Sequence, residues 1–511
     1  MTIDAVNDPM LDKLVDGVRA ARPRLIDEWE TTAVIESLGY TDARIRRELG
    51  FSDTAALGAY VFNVLSDRPA EPIEISERRA PHPLLQLIDS VGASLVYALP
   101  WLVTFLLERV RPEALRLPAG AGPPLSLSLM LSLIVTGGFI QAIARRGQFY
   151  IGMKQPGLAA LTCGYLLRLG ALLSLGVAAA GLAVGWYFSL FTWPYLVLWA
   201  DQFLILCALW LTCGVLTVRD EHWRVPVAFA VGGVAFLAVR VTGHDALVAQ
   251  LVGSAAVLAA AAIQVPRVFV HTGVEAPPTS VPLPRMTVLL YRALPFFWYG
   301  TLYFCFLFAD RFAASASVAA LTGAPFGMRP QYKLGMDLAL LTFLFASAGV
   351  EFANVRFTDM VTRAMRQPFM PDGGSFVRRL QRIHFIVLGL ACGAFIPIAA
   401  LVGTTARRLL PEQPPVVWTV MAIGDIGYLL LAIGLVNGLA LVSLNRQWST
   451  VKALTLALIV NVTVGYVLSH MFSPYFAAAG LVAGGFVFAV HASVLAREAM
   501  RSGAHALSSP S

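Results

Sequence analysis

Apolar runs, each with about the ~20 residues that a helix needs to cross a bilayer, recur along most of this chain. They begin near residue 84 and follow one another with short breaks to residue 496. In lipid the backbone polar groups must be hydrogen-bonded within the segment, so such runs fold as helices. The pattern therefore predicts about twelve transmembrane helices. Their approximate bounds are 84–107, 125–144, 160–189, 195–217, 225–241, 246–264, 286–312, 335–356, 382–403, 416–444, 451–471 and 475–496.

The composition favours the same class of protein. Hydrophobic residues make up 57% of the chain and charged residues only 14%, whereas a soluble domain has roughly 25% charged residues. The formal net charge of +7 would suggest nucleic-acid binding in a soluble protein. Here the basic residues lie mostly in loops between apolar runs, where orientation in the membrane explains them better. We therefore predict an all-α polytopic membrane protein that does not bind nucleic acid.

The amino-terminal residues 1–66 predict a small helical module. Leu11, Leu14 and Val18 recur at helical spacing. The start of the chain lacks the basic stretch, apolar centre and small-residue cleavage site of a signal peptide, so we expect the amino end to stay in the cytoplasm. Residues 67–83 are polar and rich in proline, which is typical of a linker.

The distribution of charge between loops predicts the orientation in the membrane. If the amino end is inside, the alternate loops on that side hold most of the basic residues, above all the loop between residues 356 and 382. Loops rich in Lys and Arg remain in the cytoplasm. We therefore expect a plasma or inner membrane protein with both termini in the cytoplasm, including a short tail at residues 498–511.

The longest linker-like break within the membrane region, residues 265–285, divides it into two halves. Six predicted helices precede it (84–264) and six follow it (286–497). Because six is even, both halves enter the membrane from the same side, as in the parallel repeats of some secondary transporters. Residues 138–145 and 349–356, at equivalent places in the two halves, share three identities, which is a weak sign of such a repeat.

Carboxylates within membrane spans are expensive to bury and by default face an interior cavity or the bundle interior. The candidates for binding a coupling H⁺ or Na⁺ are Asp201, Asp310, Asp337, Glu351 and Asp425. The alternative is that each pairs with an arginine or is solvated at a helix end. We favour Asp201 and Glu351 for coupling. Asp310 is followed directly by Arg311, which favours a local role at the membrane interface.

Other residues are candidates for a substrate path. Arg168, in the third span, could face an anionic sugar or a lipid pyrophosphate, or it could reach lipid headgroups. Aromatic residues crowd the seventh span at 296–308, where Tyr299 and Tyr303 could stack on sugar faces. Packing against lipid produces the same composition, and we favour that explanation. Pro295 could bend this helix beside a cavity.

Sequence motifs for catalysis are absent. The chain contains no GxxxxGK[ST], HExxH or GxSxG motif and no dinucleotide fingerprint. Its five cysteines and eight histidines have no metal-ligand spacing. The loops are too short for a nucleotide-sugar-binding domain. We expect neither enzymatic activity nor a metal or other cofactor.

Several short segments resemble the membrane transporter family of the Pel exopolysaccharide system. Residues 299–303 and 309–311 form an aromatic helix with an Asp before a basic residue, and residues 332–357 open with a Tyr and an Asp. Residues 136–138, with Arg145, resemble another helix of that family. The resemblance implies the fold of the multidrug/oligosaccharidyl-lipid/polysaccharide flippase superfamily. In this MATE-like arrangement, two six-helix bundles enclose a cavity that opens alternately to each side.

The same resemblance implies export of a polysaccharide or lipid-linked glycan that a separate cytoplasmic glycosyltransferase delivers. The long amino-terminal extension departs from that family, and it would dock or regulate a synthase. Two alternatives stay open. One is a cation-coupled exporter of small amphipathic compounds, and the other is a non-transporting membrane scaffold that anchors cytoplasmic partners through residues 1–80.

Overall fold

A computed structural model describes residues 9–21, 28–67, 118, 120–153, 155–219, 224–270, 286–322, 326–366 and 373–501. Fifteen α-helices and two short 3-10 turns account for the regular structure of these residues. The helices are α1 (Pro9–Ala21), α2 (Glu28–Ser37), α3 (Asp42–Glu48), α4 (Thr54–Asp67), α5 (Gly122–Gly152), α6 (Pro156–Tyr187), α7 (Trp193–Leu216), α8 (Arg224–Val241), α9 (Ala246–Val270), α10 (Met286–Thr322), α11 (Pro330–Arg366), α12 (Gly373–Leu409), α13 (Pro415–Ser443), α14 (Gln447–Met471) and α15 (Ala477–Arg501). The chain divides into two units, of which the smaller contains α1 to α4.

The amino-terminal unit is built on a small apolar core. Its buried residues are Leu11, Leu14, Val15, Val18, Ile35, Ile45, Leu49, Leu57 and Val61. Asp42, the first residue of α3, accepts hydrogen bonds from the hydroxyl and the backbone N–H (2.9 Å) of Thr54, the first residue of α4. These two bonds, the hydroxyl first, lower the pKa of the Asp42 carboxyl. They also join the starts of two helices that lie 12 residues apart.

The larger unit has the fold class that the apolar runs predict. Within the described part of the chain, eleven helices, α5 to α15, are long and apolar enough to cross a membrane. They match eleven of the predicted spans in order. The remaining span, 84–107, and the predicted linker after Asp67 lie outside the described residues. The prediction of an all-α, multi-span membrane fold is confirmed.

The three longest helices extend well beyond the apolar runs that predicted them. α10, α11 and α12 have 37 residues each, which corresponds to about 55 Å at 1.5 Å per residue. This exceeds the ~30 Å hydrocarbon core of a bilayer. Hydropathy marks where lipid contact ends, whereas backbone hydrogen bonding continues past the first charged residues.

Two predicted boundaries shift in the structure. α9 continues through Pro266 to Val270, so the predicted linker 265–285 begins as helix, and residues 271–285 lie outside the described part. α15 continues to Arg501, inside the predicted tail at 498–511. Proline is tolerated in the last turns of α9 because neighbouring helices and ordered water can satisfy the freed carbonyl of such a helix.

α10 links the two halves of the membrane unit. In the first half, α5 packs on α6 and α7, and α9 packs on α7 and α8. In the second half, α15 packs on α13 and α14. α10 packs against α5 of the first half and also against α14 and α15 of the second. One helix therefore carries contacts with both bundles.

The contact between α5 and α10 depends on glycine. A Cβ built on Gly300 of α10 would overlap the carbonyl oxygen of Gly137 on α5, and a Cβ on Gly138 would overlap the carbonyl oxygen of Phe297. Beside them the rings of Phe139 and Phe297 meet edge to face, with centroids 5.0 Å apart. The two halves thus approach each other backbone to backbone at this point, as small residues allow in membrane helices.

Candidate functional site

The second half of α10 carries an ion pair away from solvent. The Asp310 side chain is fully buried and Arg311 is nearly so. The Tyr332 hydroxyl, from α11, donates a hydrogen bond of 2.8 Å to Asp310 Oδ2. Arg311 Nη1 lies 3.5 Å from Asp310 Oδ1. A buried charge needs such partners, because burial removes its hydration.

Arg311 uses its guanidinium to join three helices. Nη1 donates to the Tyr428 hydroxyl of α13 (3.2 Å) and to the carbonyl of Leu307 (3.4 Å). Nη2 donates to Asp337 Oδ1 (3.3 Å) and to the carbonyl of Met336 (3.4 Å), both on α11. We call Asp310, Arg311, Tyr332, Asp337 and Tyr428 the buried ion cluster. Its contacts come from α10, α11 and α13, so it depends on all three helices packing correctly.

The buried ion cluster reaches the surface at one edge. The Asp337 side chain is 20% exposed, and its Oδ2 lies 3.3 Å from the Lys333 ammonium, which is 53% exposed. Two carboxylates and one guanidinium therefore belong to the cluster, and a second cation lies outside it in contact with solvent. Because Lys333 is half hydrated, it compensates buried charge less than Arg311 does.

Asp425 lies one turn before Tyr428 on α13. Its half-buried carboxylate is hydrogen-bonded to Thr342 of α11. Within the described residues, its Oδ1 atom has no hydrogen-bond partner. The Tyr428 ring stacks on Phe343 with centroids 5.3 Å apart. The structure thus brings Asp310 and Asp337 together around Arg311 and places Asp425 one turn from Tyr428.

The other two carboxylate candidates do not belong to the buried ion cluster. Asp201 on α7 and Glu351 on α11 have exposed side chains. Asp310, for which a local role at the membrane interface was expected, is fully buried and pairs with Arg311. Its neighbour Arg311 turns inward as well, so the adjacent charges lie in the helix bundle.

Arg168 lies on an apolar, exposed face of α6. Leu161, Leu172 and Leu175 share this face and are 56%, 64% and 53% exposed. An exposed leucine-rich face on a membrane helix is typical of lipid contact. The position of Arg168 supports the interpretation that it reaches headgroups rather than a substrate.

The two tyrosine candidates lie four residues apart on one face of α10, within the stretch that contacts α5 and before the buried ion cluster. Both are partly buried. The Tyr299 hydroxyl is within electrostatic range of Arg145 on α5 and Glu351 on α11. The Tyr303 hydroxyl is within electrostatic range of those of Tyr299 and Tyr428. A row of phenols therefore extends from the contact between the halves to the buried ion cluster.

Several site residues were not singled out as candidates from the sequence. Arg311, Tyr332 and Tyr428 emerge from the structure, although an Asp-Arg pair in the middle of an apolar run was a signal that both side chains face inward. His384 on α12 is also buried, and its Nε2 lies 2.9 Å from Asn437 Oδ1. In the part of the chain that the structure describes, no group of three His, Cys, Asp or Glu side chains is placed to hold a metal.

Comparison with known proteins identifies the fold. No protein-family model and no curated protein matches the chain. Among solved structures, the Vibrio cholerae MATE transporter VcmN in its bent form is similar, with 14% identity, a TM-score of 0.55, and coverage of 83% of this chain and 98% of that one. An outward-facing multidrug resistance MATE family transporter of the MOP superfamily has 14% identity and a TM-score of 0.53, covering 84% and 100%. An inward-facing one has 13% identity and a TM-score of 0.50, covering 84% and 97%. The membrane unit therefore has the MATE fold.

Proposed function

We propose that this protein is an alternating-access exporter and that its substrate is a polysaccharide or a lipid-linked glycan. The observation that carries the transport proposal is the buried ion cluster within a MATE fold. Ionisable groups inside a membrane are expensive and mark ion or substrate pathways by default. Proteins of this fold have been solved in outward-facing and inward-facing forms. Rocking of one helix bundle against the other would move the substrate.

The row of groups on α10 supports a glycan as the substrate. Tyr299 and Tyr303 offer ring faces on which sugars can stack. Arg145 and Glu351, which approach Tyr299 from α5 and α11, offer a guanidinium and a carboxylate for sugar hydroxyl groups. These groups come from both halves of the membrane unit, where transporters bind their substrates. They also coincide with segments that resemble the Pel exopolysaccharide transporter family.

The carboxylates supply candidates for coupling to H⁺ or Na⁺. Asp310 and Asp337 pair with Arg311, and Asp425 lies one turn from Tyr428 on α13; we assign coupling to these three carboxylates. Asp201 stays a candidate on the surface of α7. By the distribution of basic residues, the protein lies in the plasma or inner membrane with both termini in the cytoplasm. There α1 to α4 would dock a cytoplasmic glycosyltransferase.

A second candidate function is cation-coupled export of small amphipathic compounds. The observation that favours it is the fold, because two of the similar structures are described as multidrug resistance transporters. The aromatic face of α10 would equally receive an apolar or cationic ring.

Polysaccharide output in a strain that lacks the gene distinguishes these functions. We would measure secreted and surface polysaccharide, and drug susceptibility, after complementation with wild type, Asp310→Asn and Tyr299→Ala at matched membrane levels. Glu412→Gln is the control, because its exposed carboxylate lies in the loop between α12 and α13. If the protein exports a glycan, the deletion strain should secrete no polysaccharide and should retain its precursor. Strains complemented with Asp310→Asn or Tyr299→Ala should behave in the same way. Unchanged polysaccharide with raised drug susceptibility would favour the second function, and no change in either would favour a scaffold.

A further inference from the structure

We propose that Arg311 determines the coupling ion, making it a proton rather than sodium. This inference rests on the proposed transport function and names the ion that the same site would use. The Arg311 guanidinium is a permanent positive charge. It lies among the oxygen atoms that would have to coordinate a sodium ion. Asp310 is the group that would accept the proton.

The formal charges of the buried ion cluster are not fully balanced, and one further positive charge would balance them. Asp310 and Asp337 bring two negative charges, and Arg311 brings one positive charge. Lys333 lies at the exposed edge and is half hydrated. Asp310, Asp337 and Arg311 together carry one excess negative charge, which the half-hydrated Lys333 compensates only in part. Burial disfavours such an excess, so the cluster would accept one proton or one monovalent cation.

The arrangement of oxygens favours the proton. Hard cations need several oxygen ligands at once, from carboxylates, carbonyls and hydroxyls. In the cluster, Arg311 already donates hydrogen bonds to Asp337 Oδ1, to the Tyr428 hydroxyl and to two backbone carbonyls. The Tyr332 hydroxyl occupies Asp310 Oδ2. A metal ion bound among these atoms would also lie beside a permanent positive charge, which repels it.

One carboxylate oxygen of the cluster takes part in an ion pair but in no hydrogen bond, and it can take a proton. Among the described residues, Asp310 Oδ1 is buried and has no hydrogen-bond partner. It lies 3.5 Å from Arg311 Nη1. A single oxygen suffices to bind a proton but not to coordinate sodium. Protonation of Asp310 forms one O–H bond and leaves the pair between Arg311 and Asp337 intact; deprotonation on the other side of the membrane breaks that bond and releases the same proton.

The other groups around the cluster are consistent with this assignment. From α14, two uncharged side chains reach α10 near the cluster: Asn461 donates to the carbonyl of Phe306 at 3.0 Å, and Ser469 donates to that of Ala313 at 3.4 Å. The titratable and charged groups that contact Asp310 and Arg311 from α11 and α13 are Tyr332, Asp337 and Tyr428. Lys333 contacts Asp337. Asp310 is the most buried carboxylate of this set, so it gains most from being neutralised.

Sodium binding by the purified full-length protein tests the proposal without any substrate. Thermal unfolding in nanodiscs is compared in NaCl and in choline chloride at equal ionic strength. We expect no difference for wild type, and a saturable rise of the midpoint with NaCl for Arg311→Gln, in which the carboxylates lose their internal cation. Lys333→Gln is the matched control, because it removes a cation outside the cluster, and it should stay insensitive to sodium.

Infrared titration tests the proton directly. We expect a carboxylic-acid C=O band that titrates with pH in wild type, is missing in Asp310→Asn and persists in Asp201→Asn. If Arg311→Gln does not fold, wild type and Arg311→Lys still test the proposal. The unfolding midpoint of both should be the same in NaCl and in choline chloride. Sodium stabilisation of wild type that disappears in Asp310→Asn would overturn the proposal, as would a folded Arg311→Gln without a sodium response. Failure of the export proposal would show instead as unchanged polysaccharide in the deletion strain, with these binding results unaffected.

Discussion

Removing one hydroxyl from the buried ion cluster should cost far more stability than removing a comparable hydroxyl elsewhere. Tyr332 is fully buried and donates a hydrogen bond of 2.8 Å to Asp310 Oδ2. Tyr332→Phe keeps the ring and removes this donor. The carboxylate then loses its hydroxyl donor and keeps the guanidinium of Arg311, 3.5 Å from its other oxygen. Hydrogen bonds to charged groups contribute about 1.5–3 kcal/mol, and a buried acceptor left without a donor loses its compensation for dehydration. We therefore expect the free energy of unfolding to fall by about 1.5–3 kcal/mol.

Tyr475→Phe provides the matched control. The Tyr475 hydroxyl donates to Gln331 at 3.5 Å, and neither residue is fully buried. Such a long bond to a neutral, partly solvated acceptor is weak, so we expect a loss below about 0.5 kcal/mol. Both variants change a tyrosine to phenylalanine in the same unit, which removes differences in side-chain volume from the comparison.

The assay is reversible unfolding in mixed micelles, followed by circular dichroism, for the two single variants and for Asp310→Asn with and without Tyr332→Phe. If the tyrosine acts on the ionised carboxylate, its loss should cost less once Asp310 is the neutral amide, and a double-mutant cycle measures this difference. Equal losses for Tyr332→Phe and Tyr475→Phe, or a cycle without coupling, would refute the reasoning.

Three further predictions concern other parts of the chain. Gly300→Ala places a Cβ against the carbonyl of Gly137 and should destabilise the membrane unit by about 1–3 kcal/mol. Gly389→Ala is the control, because a Cβ there meets open space on α12. In the same unfolding assay it should be neutral or stabilising by up to about 1 kcal/mol. Because its pKa is lowered in the folded state, Asp42 stabilises the amino-terminal unit above its unfolded pKa, and this stabilisation is lost as pH falls through the folded pKa; hydrogen exchange of α3 and α4 in the full-length protein should show this acid sensitivity reduced in Asp42→Asn. Arg168→Gln should leave polysaccharide output unchanged at matched membrane levels, since its side chain lies on the exposed leucine-rich face of α6, and a complete loss of output would return it to the substrate path.

Helix positions followed from the sequence because the bilayer imposes a length and a composition on each span. Eleven spans in the described part lie where the apolar runs predict them. The ends of α10, α11 and α12 were missed because a helix outside the hydrocarbon core no longer needs apolar residues. Hydropathy measures lipid contact, and it carries no signal for a helix that continues into the headgroups or water.

The candidate site was predictable only as a set of residue types. Five carboxylates within spans stood out because charge is expensive in lipid, but hydropathy gives no direction around the helix axis. Asp201 and Glu351, favoured from the sequence, have exposed side chains. Asp310, expected at the interface, is fully buried. Its environment depends on Tyr332 and Arg311, and a neighbouring helix must bring the tyrosine to it.

By itself the sequence determined that this chain crosses a membrane many times, in two halves, because the number and spacing of apolar runs are written along the chain. Only the tertiary structure decided that α10 contacts both halves, with α5 through Gly137 and Gly300 and also with α14 and α15. It also decided that Arg311 lies between Asp310 and Asp337. The physical reason is that lipid selects spans by their total hydrophobicity, a sum over residues. Helix packing selects faces by contacts between residues that are distant in sequence.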